Sequence, residues 1–114
     1  MKIKVREVEN IAIFDVSGRV MGGPDADTFH NLVKQTIADG KKNILVNLAK
    51  VNWINSTGLG ILIAAYKSIC DSEGQFKLAN VSDRIESILM ITKLAGIFES
   101  FDNEEEALAS FDKS

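Results

Sequence analysis

The chain is poorly equipped for catalysis. Its 114 residues include one histidine, His30, and one cysteine, Cys70. A lone cysteine excludes an internal disulfide and suits a reducing compartment. Neither residue has a neighbour at zinc-ligand spacing, so no metal and no cofactor is expected. His30 falls beside Asn31 on a stretch of helical periodicity and reads as a solvated helix residue. Cys70 lies late in an apolar helix and reads as a buried structural thiol. No apolar run approaches the ~20 residues of a membrane span, and residues 1–7 lack the apolar core of a signal peptide. The expected location is the cytoplasm. Basic residues are not in excess: 13 Lys and Arg face 16 Asp and Glu, a net charge of −3, which argues against direct nucleic-acid binding. Gly58 and Gly60 give G-x-G, but Ile61-Leu62-Ile63 follows and the dinucleotide fingerprint is incomplete. Gly22-Gly23 is not followed by a phosphate-loop lysine and serine. Asp25, Asp27 and Asp39, and likewise Glu104–Glu106, read as helix-start and surface charge.

What is present is the pattern of one α/β domain, residues 1–114, with apolar content high enough for a core (46%) and no repeat or linker. Residues 2–8 and 11–17 predict a strand hairpin turning at Glu9-Asn10, with Gly18 ending or bending the second strand. Residues 19–24 form a loop, and Pro24 suits the first position of a helix. Phe29, Leu32, Val33, Thr36 and Ile37 mark that helix's buried face, and Gly40 is its stop. Residues 44–48 read as a strand buried on both faces, with 51–54 a short extension. A more apolar helix runs from Ser56 to Cys70, with Gly74 at its end. Phe76–Ala79 predicts a strand parallel to 44–48. Ser82 caps a short helix carrying Ile85, Ile88 and Leu89, which breaks at Leu94–Ile97. Phe98–Phe101 predicts a short edge strand. Asn103 with Glu106 resembles a capping box ahead of a last helical turn or two, with Ala107, Leu108 and Phe111. The expected order is β-β-α-β-α-β-α-(β)-α: a small mixed sheet of four to five strands packed with about four helices.

The stretch Asn55-Ser56-Thr57-Gly58 stands out. It places two hydroxyls where a strand ends and an apolar helix begins. A helix N-terminus has unpaired N–H groups and a partial positive charge, and so favours a phosphate. Ser, Thr and Asn are also ordinary caps at such a start. If Asn55 is the cap, Ser56 falls in the first turn with its hydroxyl free. Glycine is disfavoured inside helices by about 1 kcal/mol relative to Ala. Gly58 and Gly60 therefore imply a close approach to the backbone, by a neighbouring strand or by a protein partner.

Residues 47–60, Asn-Leu-Ala-Lys-Val-Asn-Trp-Ile-Asn-Ser-Thr-Gly-Leu-Gly, resemble the signature of the STAS domain. More narrowly, they are similar to bacterial anti-sigma factor antagonists (anti-anti-sigma factors). That family's pattern is a strand ending in Asp-Ser-Ser/Thr-Gly-Leu-Gly, then a long apolar helix. The likeness extends to Gly18, Gly74 and residues 91–98. It implies a STAS fold and a non-enzymatic regulator. It implies that Ser56 is phosphorylated by an anti-sigma factor serine kinase and restored by a serine phosphatase. It further implies that the unphosphorylated protein binds the kinase and frees the sigma factor. The partner surface implied comprises Arg19, Met21, Gly22, Asn55, Thr57, Gly58 and Gly60, on a monomer or weak dimer. Two positions depart from the pattern. Asn55 stands at the usual Asp, and Gly18-Arg19-Val20-Met21 replaces a common Gly-Glu-x-Asp. These departures motivate a second expectation, a non-switching STAS subunit of a transporter or signalling scaffold. An enzyme or small-ligand sensor is the least supported class.

Overall fold

The computed structural model describes residues 1–93 and 96–111. Five strands and four helices follow in the order β1 (Lys2–Val8), β2 (Ile11–Val20), α1 (Pro24–Ala38), β3 (Asn43–Ile54), α2 (Ser56–Asp71), β4 (Gln75–Ala79), α3 (Asp83–Ile91), β5 (Glu99–Phe101) and α4 (Glu104–Ser110). The expected mixed α/β architecture is the one observed. One sheet has the spatial order β1-β2-β3-β4-β5. The β1–β2 hairpin is antiparallel and the remaining pairs are parallel, because each later connection carries a crossover helix. The sequence places the break of the third helix at Leu94–Ile97; α3 ends earlier, at Ile91 with Thr92 as its cap, and Leu94 and Ala95 lie outside the described residues.

Alternation along the strands sorts side chains to two unequal cores. Phe14, Ile44, Val46, Leu48 and Leu78 face α1, α2 and α3 and are buried among Phe29, Val33, Leu62, Ile69, Ile85 and Leu89. Ile13, Leu45 and Ala79 point to the opposite face, where α4 covers them with Ala107 and Phe111. Residues 44–48 are thus buried on both faces except for half-buried Asn47, as the apolar run predicts.

Arg6 locks α4 to the sheet edge. Its guanidinium forks onto both oxygens of Asp15, one arm at 2.9 Å, and reaches Glu104 at the start of α4. Asn47 donates to Asp15 at 2.9 Å, and Asn80 donates to Asn47 at 2.8 Å. The Arg6 hydrogen bonds hold the Asp15 carboxyl below the usual carboxylate range, with help from Asn47 and against partial burial.

Both strands next to the serine turn are longer than the sequence predicts. β2 continues through Gly18 to Val20, and β3 is unbroken to Ile54. Register shifts between Asp15 and Ser17 and between Gly18 and Arg19 absorb the irregularity. Gly18 adopts φ +88° there, so it bends the strand without ending it. At the end of α2, Gly74 is not the left-handed residue. Glu73 takes that role at φ 63°, and the amides of Glu73 and Gly74 close a Schellman pair onto Cys70 and Ile69 at 3.0 and 2.8 Å. Gly74 is required for another reason: a Cβ there would lie 2.0 Å from the Lys42 carbonyl oxygen. Cys70 is exposed, against the expectation of a buried thiol. Its neighbour Ile69 occupies the core-facing position, and one residue further turns the side chain about 100° around the helix.

Candidate functional site

The serine turn is built by the parallel ends of β2 and β3. Val20 pairs with Ile54, and both are buried. The chain then leaves β3 through Asn55, whose extended backbone (φ −110°, ψ −177°) ends the strand. The Asn55 side chain accepts a hydrogen bond from the Gly58 amide at 2.8 Å, and its carbonyl accepts from the Leu59 amide at 2.9 Å. Asn55 is therefore the N-cap of α2. Ser56 occupies the first helical position. It is exposed, and among the described residues its hydroxyl makes no hydrogen bond. The cap is satisfied by its neighbour, which leaves the Ser56 oxygen available to a partner.

The electrostatics of this helix start differ from those of the other three. Acidic residues occupy the first turn of α1 (Asp25, Asp27), α3 (Asp83, Glu86) and α4 (Glu104–Glu106). The first turn of α2 has none. Its partial positive charge is not offset within the turn.

The loop between β2 and α1 packs directly against this start. A Cβ on Gly58 would lie 1.9 Å from the Val20 carbonyl oxygen. The neighbouring strand is thus the close approach that this glycine implied. The Asn55 amide meets the same oxygen at 3.4 Å. Gly22 adopts φ +93°, and a Cβ there would lie 2.2 Å from the Thr57 methyl. Loop and helix start therefore behave as one rigid unit. Gly60 differs from Gly58: it is exposed, and nothing lies within 4 Å of its missing Cβ. Packing among the described residues does not account for it.

The structure brings the expected site residues together with an internal division of labour. Ser56, Thr57, Gly60, Arg19 and Met21 reach the surface, and Asn55 is half-buried. Gly22 and Gly58 are buried beneath them and act through the backbone. Beside Thr57, a groove of about 280 Å³ runs between α1 and α2, lined by Asp27, His30, Thr57, Gly60 and Ala64 among others. Sequence reasoning missed Trp53. It is 41% exposed, as is Met21, and it pairs in register with Arg19 on the neighbouring strand. A large aromatic one residue before buried Ile54 was the available signal, because alternation sends the two to opposite faces.

Residues 2–107 match the STAS domain family. An anti-sigma-B factor antagonist of Listeria monocytogenes is 33% identical over 103 residues, covering 87% of this chain and 85% of its own. Among solved structures, a Thermotoga maritima protein assigned as an anti-sigma factor antagonist superposes with a TM-score of 0.88 at 25% identity, covering 97% of this chain and 95% of its own. A sulfate transporter family protein from Wolinella succinogenes shares the fold, with a TM-score of 0.80 at 23% identity over 90% of this chain and 85% of its own. No helix among the described residues is long and apolar enough to cross a membrane. The chain belongs to the STAS-domain family, among the anti-sigma factor antagonists.

Proposed function

We propose that this protein binds an anti-sigma factor serine kinase in a cytoplasmic partner-switching pathway, and that phosphorylation of Ser56 releases it. The observation that carries the reading is the free Ser56 hydroxyl on an exposed helix start whose cap is already supplied by Asn55. A phosphate there adds roughly −1.5 to −2 charges. The uncompensated N-terminus of α2 accommodates that charge without refolding the domain. A partner surface closed over Ser56 does not accommodate it, so the added charge and bulk abolish docking locally.

The partner surface in this reading is the rigid unit around Ser56. Met21 and Trp53 supply exposed apolar area, and aromatic anchors are favoured at the centres of interfaces. Arg19 supplies a cation. Thr57 and Gly60 line the adjoining groove, and the bare Gly60 lets a partner approach the helix backbone. Buried Gly22 and Gly58 hold the unit in shape. The protein acts by binding and not by catalysis, and a serine phosphatase returns it to the binding form. The transporter-subunit reading rests on a shared fold alone. Recovery of transporter subunits instead of a kinase by affinity purification would favour it.

The test is to incubate the protein with its cognate kinase and ATP and to map the product by mass spectrometry. One phosphate on Ser56, lost in Ser56→Ala, is the expected result. No phosphate on Ser56, together with unchanged binding and signalling by Ser56→Ala, overturns the proposal.

A further inference from the structure

The half of the sheet that α4 leaves uncovered has a chemistry of its own, fixed by register. Lys2 pairs with Ser17, and Ser17 pairs with Lys50. One row across three strands therefore reads Lys-Ser-Lys. The next row on the same face reads Lys4-Asp15-Asn47. Adjacent strands lie about 4.8 Å apart, and same-face residues along a strand about 6.8 Å apart. The backbones of Lys2, Lys4 and Lys50 consequently surround Ser17 within about 12 Å of one another, well within the reach of converging lysine side chains. These residues line a depression of about 500 Å³, within the usual size range of small-ligand sites.

The charge of this face opposes that of the chain. The protein carries a net −3, yet among the described residues the only carboxylate lining the depression is Asp15, already held by the Arg6 fork and Asn47. Among the described residues, Lys2, Lys4 and Lys50 are all exposed and have no ion-pair partner. An ordinary solvated sheet face mixes signs, because like charges at neighbouring positions repel. Three unpaired ammonium groups around one hydroxyl form a cationic, hydrogen-bonding pocket over a floor that the Arg6–Asp15–Asn47–Asn80 network holds rigid.

We propose that this face binds a phosphate-bearing ligand, with Lys2, Lys4 and Lys50 around its anionic oxygens and the Ser17 hydroxyl as an additional donor. Charge-assisted hydrogen bonds from lysine favour a multiply charged phosphate over a monoanion. The site lies on the opposite face of the sheet from α2, along β2 and β3 from the Arg19–Trp53 pair. The same phosphate chemistry is presented by a soluble phosphorylated molecule and by a lipid headgroup, and the experiment separates the two.

Inorganic pyrophosphate is titrated into the full ¹⁵N-labelled chain at about 0.15 M salt, with sodium chloride as control. Flotation with phosphatidic acid vesicles against phosphatidylcholine vesicles runs in parallel. Saturable shifts at the amides of Lys4, Ser17 and Lys50 are expected for a soluble ligand, and selective flotation with phosphatidic acid for a lipid one. Lys4→Gln/Lys50→Gln removes two charged contacts and weakens the bound form by about a hundredfold, about tenfold per contact. Lys34→Gln/Lys67→Gln, on exposed positions of α1 and α2, leaves it unchanged. The affected lysines are exposed, so both variants keep the wild-type melting curve. Absence of both saturable shifts and selective flotation overturns the proposal. So does an equal loss in the two variants.

Discussion

Gly58→Ala and Gly60→Ala are the same substitution, two residues apart in one helix, and the structure assigns them opposite signs. Intrinsic propensity alone makes each change stabilising by up to about 1 kcal/mol. At Gly60 nothing lies within 4 Å of the new methyl, so that gain is realised, about 0.5–1 kcal/mol. At Gly58 the methyl would sit 1.9 Å from the Val20 carbonyl oxygen and 2.7 Å from its carbon. Both atoms are strand backbone and cannot rotate aside. Relief requires α2 to draw back from β2, which breaks the Asn55 amide contact to the same oxygen and loosens the Gly22–Thr57 packing. Overpacking of this kind costs about 1–3 kcal/mol, and the propensity gain offsets only part of it. The net expectation is a loss of about 1–2 kcal/mol, or about 4–15 °C in Tm for a domain of this size. Urea unfolding followed by circular dichroism measures both variants against wild type. A Gly58→Ala protein as stable as wild type would refute the close approach of strand and helix on which the rigidity of the site rests.

Further outcomes follow from the same geometry. Asn55→Ala removes the cap and is expected to destabilise by about 1 kcal/mol, whereas Asn55→Asp keeps a cap oxygen and adds a charge that favours the helix start. Thermal melts of the two should therefore fall on either side of the wild type or leave Asn55→Asp level with it. Acid titration tests the Arg6–Asp15 fork. The folded pKa of Asp15 is depressed, so its contribution is present above the unfolded value of about 3.9 and is lost as pH falls through the lower folded value. Asp15→Asn should flatten that part of the stability profile, and an unchanged acid slope would show that the fork contributes nothing. Cys70, being exposed, should react with a thiol reagent in the native protein without prior unfolding. Protection until denaturation would contradict its placement.

The elements were legible because their signals are local. Apolar spacing marks α1 through Phe29 and Val33, and the run at residues 44–48 marks a strand covered on both faces. Caps at Ser82 and Asn103 sit where the sequence places them. The candidate site stood out for a similar reason, since Asn55, Ser56 and Thr57 are contiguous at a strand-to-helix junction. What could not be read depends on partners distant in sequence. The roles of Gly58 and Gly74 are set by the carbonyls of Val20 and Lys42, and no spacing rule links those residues. Lys77 is buried in β4 because its ammonium meets the Ser110 carbonyl and hydroxyl at 3.1 and 2.9 Å and lies over the Phe111 ring. Ser110 and Phe111 are more than thirty residues away, and its ion-pair partner Glu99, at 3.2 Å, lies on the neighbouring strand β5. Trp53 carried a local signal, its alternation with Ile54, but its place beside Arg19 is set only when β2 and β3 pair across their register shifts.

The central claim is that charge at Ser56 controls docking. Its most direct test compares the affinity of the cognate kinase for the unphosphorylated chain and for the same chain phosphorylated on Ser56, by titration calorimetry without ATP. A buried, unpaired charge at an interface costs 2–5 kcal/mol or more, so phosphorylation is expected to weaken binding at least about thirtyfold. Circular dichroism should be unchanged, because the α2 start accepts the phosphate. Equal affinity of the two forms would contradict the account.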